Sequence, residues 1–226
     1  MMDEAIVFEG DRRLRPLSMA VLIDWGSYYM MDAFAATRAP HGNRTEKTKR
    51  RIQEMEEAEG PRLDRHKTAI AKVIRTMVWN LVLAQPRFFF FFITDKEPTY
   101  EGVFNRVCRA LPNTVARHIQ EDGNLSPRDI FNPLFRINHT LALMRDRFGR
   151  FRRRSWLHSK KRKWLNLMLG MFLCHRNYVR PKKNDGLYTP GEMVDIPDGR
   201  LTHTQLLTWR QDWGGELSLR PSAKVA

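Results

Sequence analysis

The period of apolar and polar positions changes several times along the chain, and each change marks an element. Residues 5–8 form a short apolar run that predicts a strand. Residues 17–24 and 28–36 are two β-rich runs on either side of Trp25-Gly26-Ser27, the pattern of a hairpin in which the glycine takes the positive φ of a tight turn. Residues 44–59 are charged and helix-prone and predict a solvated helix that Gly60-Pro61 ends. Over residues 64–84, Ala69, Ile70, Val73, Met77, Leu81 and Ala84 recur at spacings of three and four, so this helix lays one face on a sheet. A continuous apolar run follows, five phenylalanines from Phe88 and then Ile93-Thr94-Asp95. Bounded by Gln85-Pro86 and Lys96-Glu97-Pro98, it predicts a fully buried strand ending in a carboxylate, at the place where open α/β sheets bind ligands.

Residues 99–111 predict a helix and residues 115–119 a short strand. A polar loop through Gly123-Asn124 and Ser126-Pro127 leads to a helix over 131–147, with Leu134, Ile137, Leu141 and Met144 on one face. A further helix over 155–175 offers Leu165, Met168, Leu169 and Phe172 to a core. Beyond Pro181 the chain predicts loop, with one helix over 202–213, to whose His203, Trp209 and Trp213 no chemistry is assigned. Neither an internal repeat nor a low-complexity linker is visible. Strand, hairpin, helices, strand, helix, strand, helix is an α/β order, with acids at the ends of its central strands.

Charge changes this picture more than size does. A chain of 226 residues, 42% hydrophobic and 11% aromatic, can bury a core in one domain. Its 39 basic and 25 acidic residues leave a net charge of +14 and a pI near 10.3, which points to a polyanion, nucleic acid before membrane surface. Cys108 and Cys174 form no Cys-x-x-Cys pair, which excludes a zinc finger and a disulfide scaffold. The first residues carry no signal-peptide pattern, and the longest helical apolar stretch, 164–174, is about half of what a bilayer span needs. These readings lead to the expectation of a cytoplasmic protein with no membrane partner. Met1-Met2 runs straight into Asp3-Glu4 and a strand, an abrupt start that leads to the expectation of further sequence upstream.

Asp3 on the first strand, Asp95 after the Phe-rich strand and a third ligand from the helix starting near Asn132 could converge as the hard oxygen donors of a two-metal phosphoryl-transfer site. Here the residues carry a resemblance. Thr94-Asp95 with Tyr100 five residues on resembles the second-aspartate motif of bacterial insertion-sequence transposases, members of the DDE superfamily that share an RNase H-like fold with retroviral integrases. Asp3-Glu4 with Phe8-Glu9 and Pro16-Leu17-Ser18 is similar to the opening of such catalytic domains. Asn138 to Arg145 resembles the helix carrying the third acid, and Arg150, Arg153, Arg154, Ser159 and Lys160 continue the match. Arg176-Asn177-Tyr178-Val179-Arg180 and Thr189-Pro190 look like the tail of the same enzymes.

The resemblance implies an α/β, RNase H-like mixed sheet flanked by helices, with a basic helical C-terminal extension. Residues 1–150 would be the catalytic domain, without the upstream DNA-binding domain such enzymes carry, and residues 151–226 the extension packed on it. It implies DNA cleavage and strand transfer dependent on Mg²⁺, with Mn²⁺ as a substitute. Element ends and target DNA would be the partners, the active form a homo-oligomer, and the setting bacterial and nucleoid-associated. Asp3, Asp95 and Asn138 become the metal-binding and catalytic residues. The third position departs from the family's glutamate: an amide oxygen ligates Mg²⁺ but brings no charge and cannot act as a base. Glu121 and Asp129 are nearby acids that could substitute.

This departure keeps two other readings open, a catalytically inactive transposase-derived DNA-binding protein and a basic RNA-binding structural protein. Residues 145–163 hold ten Lys or Arg against Asp146 alone. From them Arg145, Arg150, Arg153, Arg154, Lys160, Lys161 and Lys163 are the expected DNA-backbone contacts. Trp156 fits a base-stacking role or packing on the sheet equally. Asp24 and Asp32 read as a turn former and a solvated face, His139 as a surface histidine, and Glu4 as a neighbour of the site.

Overall fold

Five strands alternate with six α-helices in the computed structural model, which describes residues 1–11, 13–84, 89–109, 115–122, 129–151, 161–183, 186–196 and 198–208. Strands β1 (Met2–Phe8), β2 (Pro16–Ile23) and β3 (Met30–Thr37) form an antiparallel meander, with Asp3 opposite Val21 and Met19 opposite Ala35. Strands β4 (Phe89–Asp95) and β5 (Val115–Glu121) pair in parallel, with Asp95 opposite Glu121. Among the described residues β1 lies beside β4, but no ladder joins the two sheets. The protein is a mixed α/β structure with open sheets.

Side-chain alternation along β2 explains the layers. Leu17, Met19, Val21 and Ile23 enter one apolar cluster, Ala20 and Leu22 the other, so this strand is buried on both faces. The first cluster takes Leu134, Ile137, Leu141 and Met144 of α4 (Phe135–Arg147) and its N-cap, and Leu165, Leu169 and Phe172 of α5 (Arg162–Cys174). The second takes Ala69, Ile70, Val73, Ile74, Met77 and Val78 of α2 (His66–Ala84), with Tyr100, Val103 and Phe104 of α3 (Pro98–Cys108). Helices therefore cover both faces. The charged helix α1 (Glu46–Glu59), capped by the Thr45 hydroxyl and closed by Gly60 at φ 83°, buries only Thr48 and Ile52. Ion pairs of Arg51 with Asp11 and Arg15 with Glu59 fasten it to the β1–β2 loop.

Two expectations need correction. The Phe-rich strand is not buried on both faces. Phe92 is 1% exposed and stacks on Phe104 with ring centroids 4.7 Å apart, whereas Phe89 and Phe91 are 57% and 50% exposed. The helices of the first layer, α4 and α5, pack on β1, β2 and β3 instead of reaching over those two rings. In the β2–β3 turn the left-handed residue is Tyr28 at φ 65°, not Gly26. The Asp24 carboxylate accepts from the N–H and hydroxyl of Ser27, both at 2.7 Å, and this Asx-type turn displaces the left-handed step by two residues. The C-terminal helix α6 (His203–Thr208) is shorter than predicted over its described part; Trp156, Trp209 and Trp213 lie outside the described residues.

The outer edge of β3 is closed by side chains. Antiparallel pairing alternates, so Met30, Ala33 and Ala35 turn their amides away from β2. Asn166 accepts from the Ala35 N–H at 2.7 Å and donates to its carbonyl at 3.1 Å. Asn177 does the same at Met30, at 2.9 Å each way, and Asp32 takes the Ala33 N–H at 2.8 Å. Each amide side chain imitates one rung of a ladder, which blunts an edge that would otherwise template pairing.

Asn177 sits in the π-helical turn His175–Val179 that continues α5. Its carbonyl accepts from the Gly191 N–H at 2.7 Å, and a Cβ on Gly191 would come within 2.7 Å of that oxygen. Thr189 and Glu192 cap each other reciprocally in the same corner, and the Tyr178 and Tyr29 hydroxyls meet at 2.9 Å. The tail residues singled out from the sequence are thus a clamp on β3. Asn177→Ala leaves a buried N–H and a buried C=O without partners, and we expect a loss of about 3 kcal/mol in denaturant unfolding, against about 1 kcal/mol for the half-buried Asn166→Ala. Midpoints equal to the unsubstituted protein's would refute the edge-closing role.

Candidate functional site at the seam between the sheets

The seam between β1 and β4 opens into a cleft of about 750 Å³ lined by Asp3, Asp95, Asn138 and Arg145, among others. Three elements bring these side chains together. Asp3 is an odd residue of β1, like the core residues Ala5 and Val7, so it faces the side that α4 covers. Asp95 ends β4, where its carboxylate accepts from the Glu97 N–H at 3.2 Å in the turn that Pro98 makes into α3. On α4, Ile137, Leu141 and Met144 take the core, which leaves Asn138, Ala142 and Arg145 along the cleft. Asn138 is exposed, and Asp3 and Asp95 are half-buried.

The surrounding residues divide into structural and cleft-facing ones. Glu4 falls on the α2–α3 side by alternation, where its carboxylate accepts from the Ser18 hydroxyl, though it also adds to the cleft wall. Glu121 lines the cleft opposite Asp95 in register, and an ion pair of Lys96 with Asp122 at 3.1 Å closes the rim. Asp129 accepts from the Phe131 N–H at 3.0 Å within its own turn and does not line the cleft. Asp32 accepts from the Thr76 hydroxyl at 2.8 Å, tying β3 to α2 instead of facing solvent. Tyr100, in the first turn of α3, is buried in the cluster it shares with α2, and burial together with the fields of Glu4, Asp3, Asp95 and Glu97 pushes its phenol up.

Charge in the cleft is poorly solvated. Burial, with the charges of Asp95 and Glu4 adding to it, pushes Asp3 up to about 7, while the Glu4 N–H at 2.6 Å and Arg145 pull the other way. Burial also raises Asp95 and Glu4. Asp3 and Asp95 are carboxylates held at the cost of desolvation, and a cation beside them would relieve the repulsion that Asp3 feels from Asp95. Among the described residues no group of three or more His, Cys, Asp or Glu side chains is arranged to hold a metal.

The expected DNA contacts do not gather here. Arg145 lines the cleft, but the Arg162 N–H binds Glu9 at 2.7 Å, so Lys161 and Lys163 lie at the far end of β1. Asp3 and Glu9, just past the end of β1, are six residue steps apart, roughly 20 Å. Arg150 is exposed beyond α4, while Arg153, Arg154, Ser159 and Lys160 lie outside the described residues. The cations beside the cleft that the sequence did not single out are Arg136 and Lys182. They meet at the β2–β3 turn from positions with no shared period, so only the fold could reveal them. Among the described residues no helix is long and apolar enough to cross a membrane.

The upward shift of Asp3 carries a sign. An unfolded Asp titrates near 4, so between about pH 4 and about pH 7 the folded chain holds a proton that the unfolded chain has released. Stability therefore falls as pH rises through that window. Asp3→Asn should match the unsubstituted protein near pH 4 and exceed it above pH 7 by roughly 2–4 kcal/mol in chemical unfolding. Parallel pH profiles for the two proteins would show that Asp3 is not strained in the fold. Compared with protein-family models, curated proteins and solved structures, the chain finds no match.

Proposed function

We propose that the cleft is a phosphodiester-processing site and the chain a transposase-type catalytic domain of the RNase H-like kind. The observation that carries this reading is the meeting of Asp3, Asp95, Asn138 and Arg145, from three separate elements, in one cleft. The antiparallel meander followed by a parallel pair, with β1 beside β4 and helices on both faces, supports the same reading. The net charge of +14 agrees with a DNA partner.

Asp3 and Asp95 would hold the metal, with Asn138 as a neutral donor. Mg²⁺ bound there supplies charge neutralisation for the attacking and leaving oxygens of an in-line displacement. Arg145, whose charge already reaches Asp3, would offset the phosphate on the opposite wall. Glu97 fixes the Asp95 carboxylate through its N–H, so that acid is oriented before any ligand arrives. Asn138 cannot take a proton, so the nucleophile's proton must leave through water or through the cleft carboxylates.

A second reading is favoured by one observation: an exposed, uncharged Asn138 stands where a third acid would complete the cluster. Under that reading the chain binds DNA without cutting it. Incubation with duplex DNA in Mg²⁺ and in Mn²⁺ separates the two. The enzyme reading expects nicking or strand transfer that Asp95→Ala lowers at least about a hundredfold, with DNA affinity retained. Binding without any metal-dependent cleavage would overturn it in favour of the second.

A further inference from the structure

Beside the acid cleft, the β2–β3 turn and the first turn of α4 build a second feature. The Arg136 guanidinium lies 3.6 Å over the Trp25 ring and 5.5 Å over Tyr28, and Lys182 Nζ sits 5.2 Å from the Tyr28 ring centroid. Tyr28 meets His139 edge-on at 5.9 Å, and His139 stacks on Phe135 at 5.7 Å. Phe135 and His139 also line the cleft, so the aromatic surface is continuous with the acidic one. Although Arg136 covers one face of Trp25, that residue remains 52% exposed.

Three observations point to a ligand. First, the hydrogen bonds of Arg136 and Lys182 go to the carbonyls of Trp25 and Gly26, and among the described residues neither cation is ion-paired with a carboxylate. Arg176 adds to the positive field on Tyr28 and His139, and its guanidinium holds the carbonyls of Pro181 and Lys182 at 2.8 and 3.1 Å, which positions Lys182. Second, Tyr28 adopts a left-handed backbone at φ 65°, strain of order 1 kcal/mol for an aromatic residue, although Gly26 stands two residues away. Third, flat rings paired with cations are what an unstacked base and its phosphate need, and a paired base inside a duplex cannot offer its face.

We propose that the shelf of Trp25, Tyr28, Phe135 and Arg136 holds an unpaired nucleotide, its base against the rings and its phosphate on Arg136 and Lys182. The proposal rests on the reading that the neighbouring cleft receives nucleic acid, and it specifies the state of that substrate: a strand frayed or splayed next to the phosphate being processed. The acid wall and the cationic shelf then divide the work. One handles the reacting phosphate, and the other grips its unpaired neighbour.

Fluorescence anisotropy with the full chain tests this, using labelled oligothymidylate, labelled oligouridylate and a blunt DNA duplex, all in EDTA so that no metal chemistry contributes. Trp25→Ala should weaken binding of the unpaired strands about tenfold, Trp25→Phe should restore most of it, and duplex affinity should change little. Arg136→Gln should weaken the same strands and lower the salt dependence of their binding. Binding of either unpaired strand that depends on Trp25 supports the stacking role. Should Trp25→Ala lower the unfolding midpoint, the Phe and Arg136→Gln variants carry the comparison. The shelf is overturned if both Trp25 variants bind unpaired strands as tightly as the unsubstituted protein, or if strands and duplex weaken alike. Asp95→Ala separates the two readings. Trp25-dependent binding in a chain that cleaves nothing keeps the shelf and loses the enzyme, whereas Asp95-dependent cleavage with Trp25-independent binding does the reverse.

Discussion

At the edge of β1 that faces β4, a carboxylate takes a backbone donor that a sheet would otherwise use. At β1 the Met1 amino group and the amides of Asp3 and Ala5 point to β2, so the Glu4 N–H points outward, towards β4. There the Asp3 carboxylate accepts it at 2.6 Å. A ladder between β1 and β4 would use that donor, and none forms among the described residues. The seam is lined as a cleft, and the group that takes this outward donor is an acid of that cleft. Burial raises the proton affinity of Asp3, while the Glu4 N–H that it accepts pulls the other way.

The surroundings follow from that opening. Helix α4 crosses the α4–α5 side of the meander with its apolar stripe inward, so its polar stripe borders the seam with Asn138 and Arg145. Asp95 arrives at the tip of β4, locked by the turn into α3. The turn at Trp25 lies at the same end of the sheet because β2 runs antiparallel to β1, which places its cations beside the acids. Negative and positive walls therefore adjoin without cancelling: Arg145 is the cation whose field reaches Asp3, while Arg136 and Lys182 are bound to carbonyls.

Much of this was legible in the residues, and the failures have physical reasons. The stripe from Ala69 to Met77 and the face of Leu134, Ile137, Leu141 and Met144 repeat with the helical period, and both are core. Five phenylalanines in a row erase the alternation that would have shown a strand with one wet face, so Phe89 and Phe91 were read as buried. Gly26 was the residue suited to a left-handed turn, but the side chain of Asp24 decided where that step falls. Asp3, Asp95 and Asn138 could be named from local motifs because each sits at the end or on a stripe of its own element. The shelf could not, since Trp25, Arg136 and Lys182 are joined only by packing. The density of Lys and Arg over 145–163 is visible as composition, but composition does not say that Arg145 lines the cleft while Arg162 binds Glu9.

The two asparagines that seal β3 have a consequence for how the chain reaches its folded state. The meander is complete in the sequence by Thr37, yet Asn166 and Asn177 lie 131 and 147 residues beyond their partners Ala35 and Met30. During synthesis the three strands can assemble long before either side chain exists to cover their outer edge. For that interval the nascent meander carries a bare row of amides, with Asp32 able to shield only one of them. Final closure is a long-range event, slow in the way high-contact-order steps are slow. The side chains that close this edge are thus made long after the edge itself.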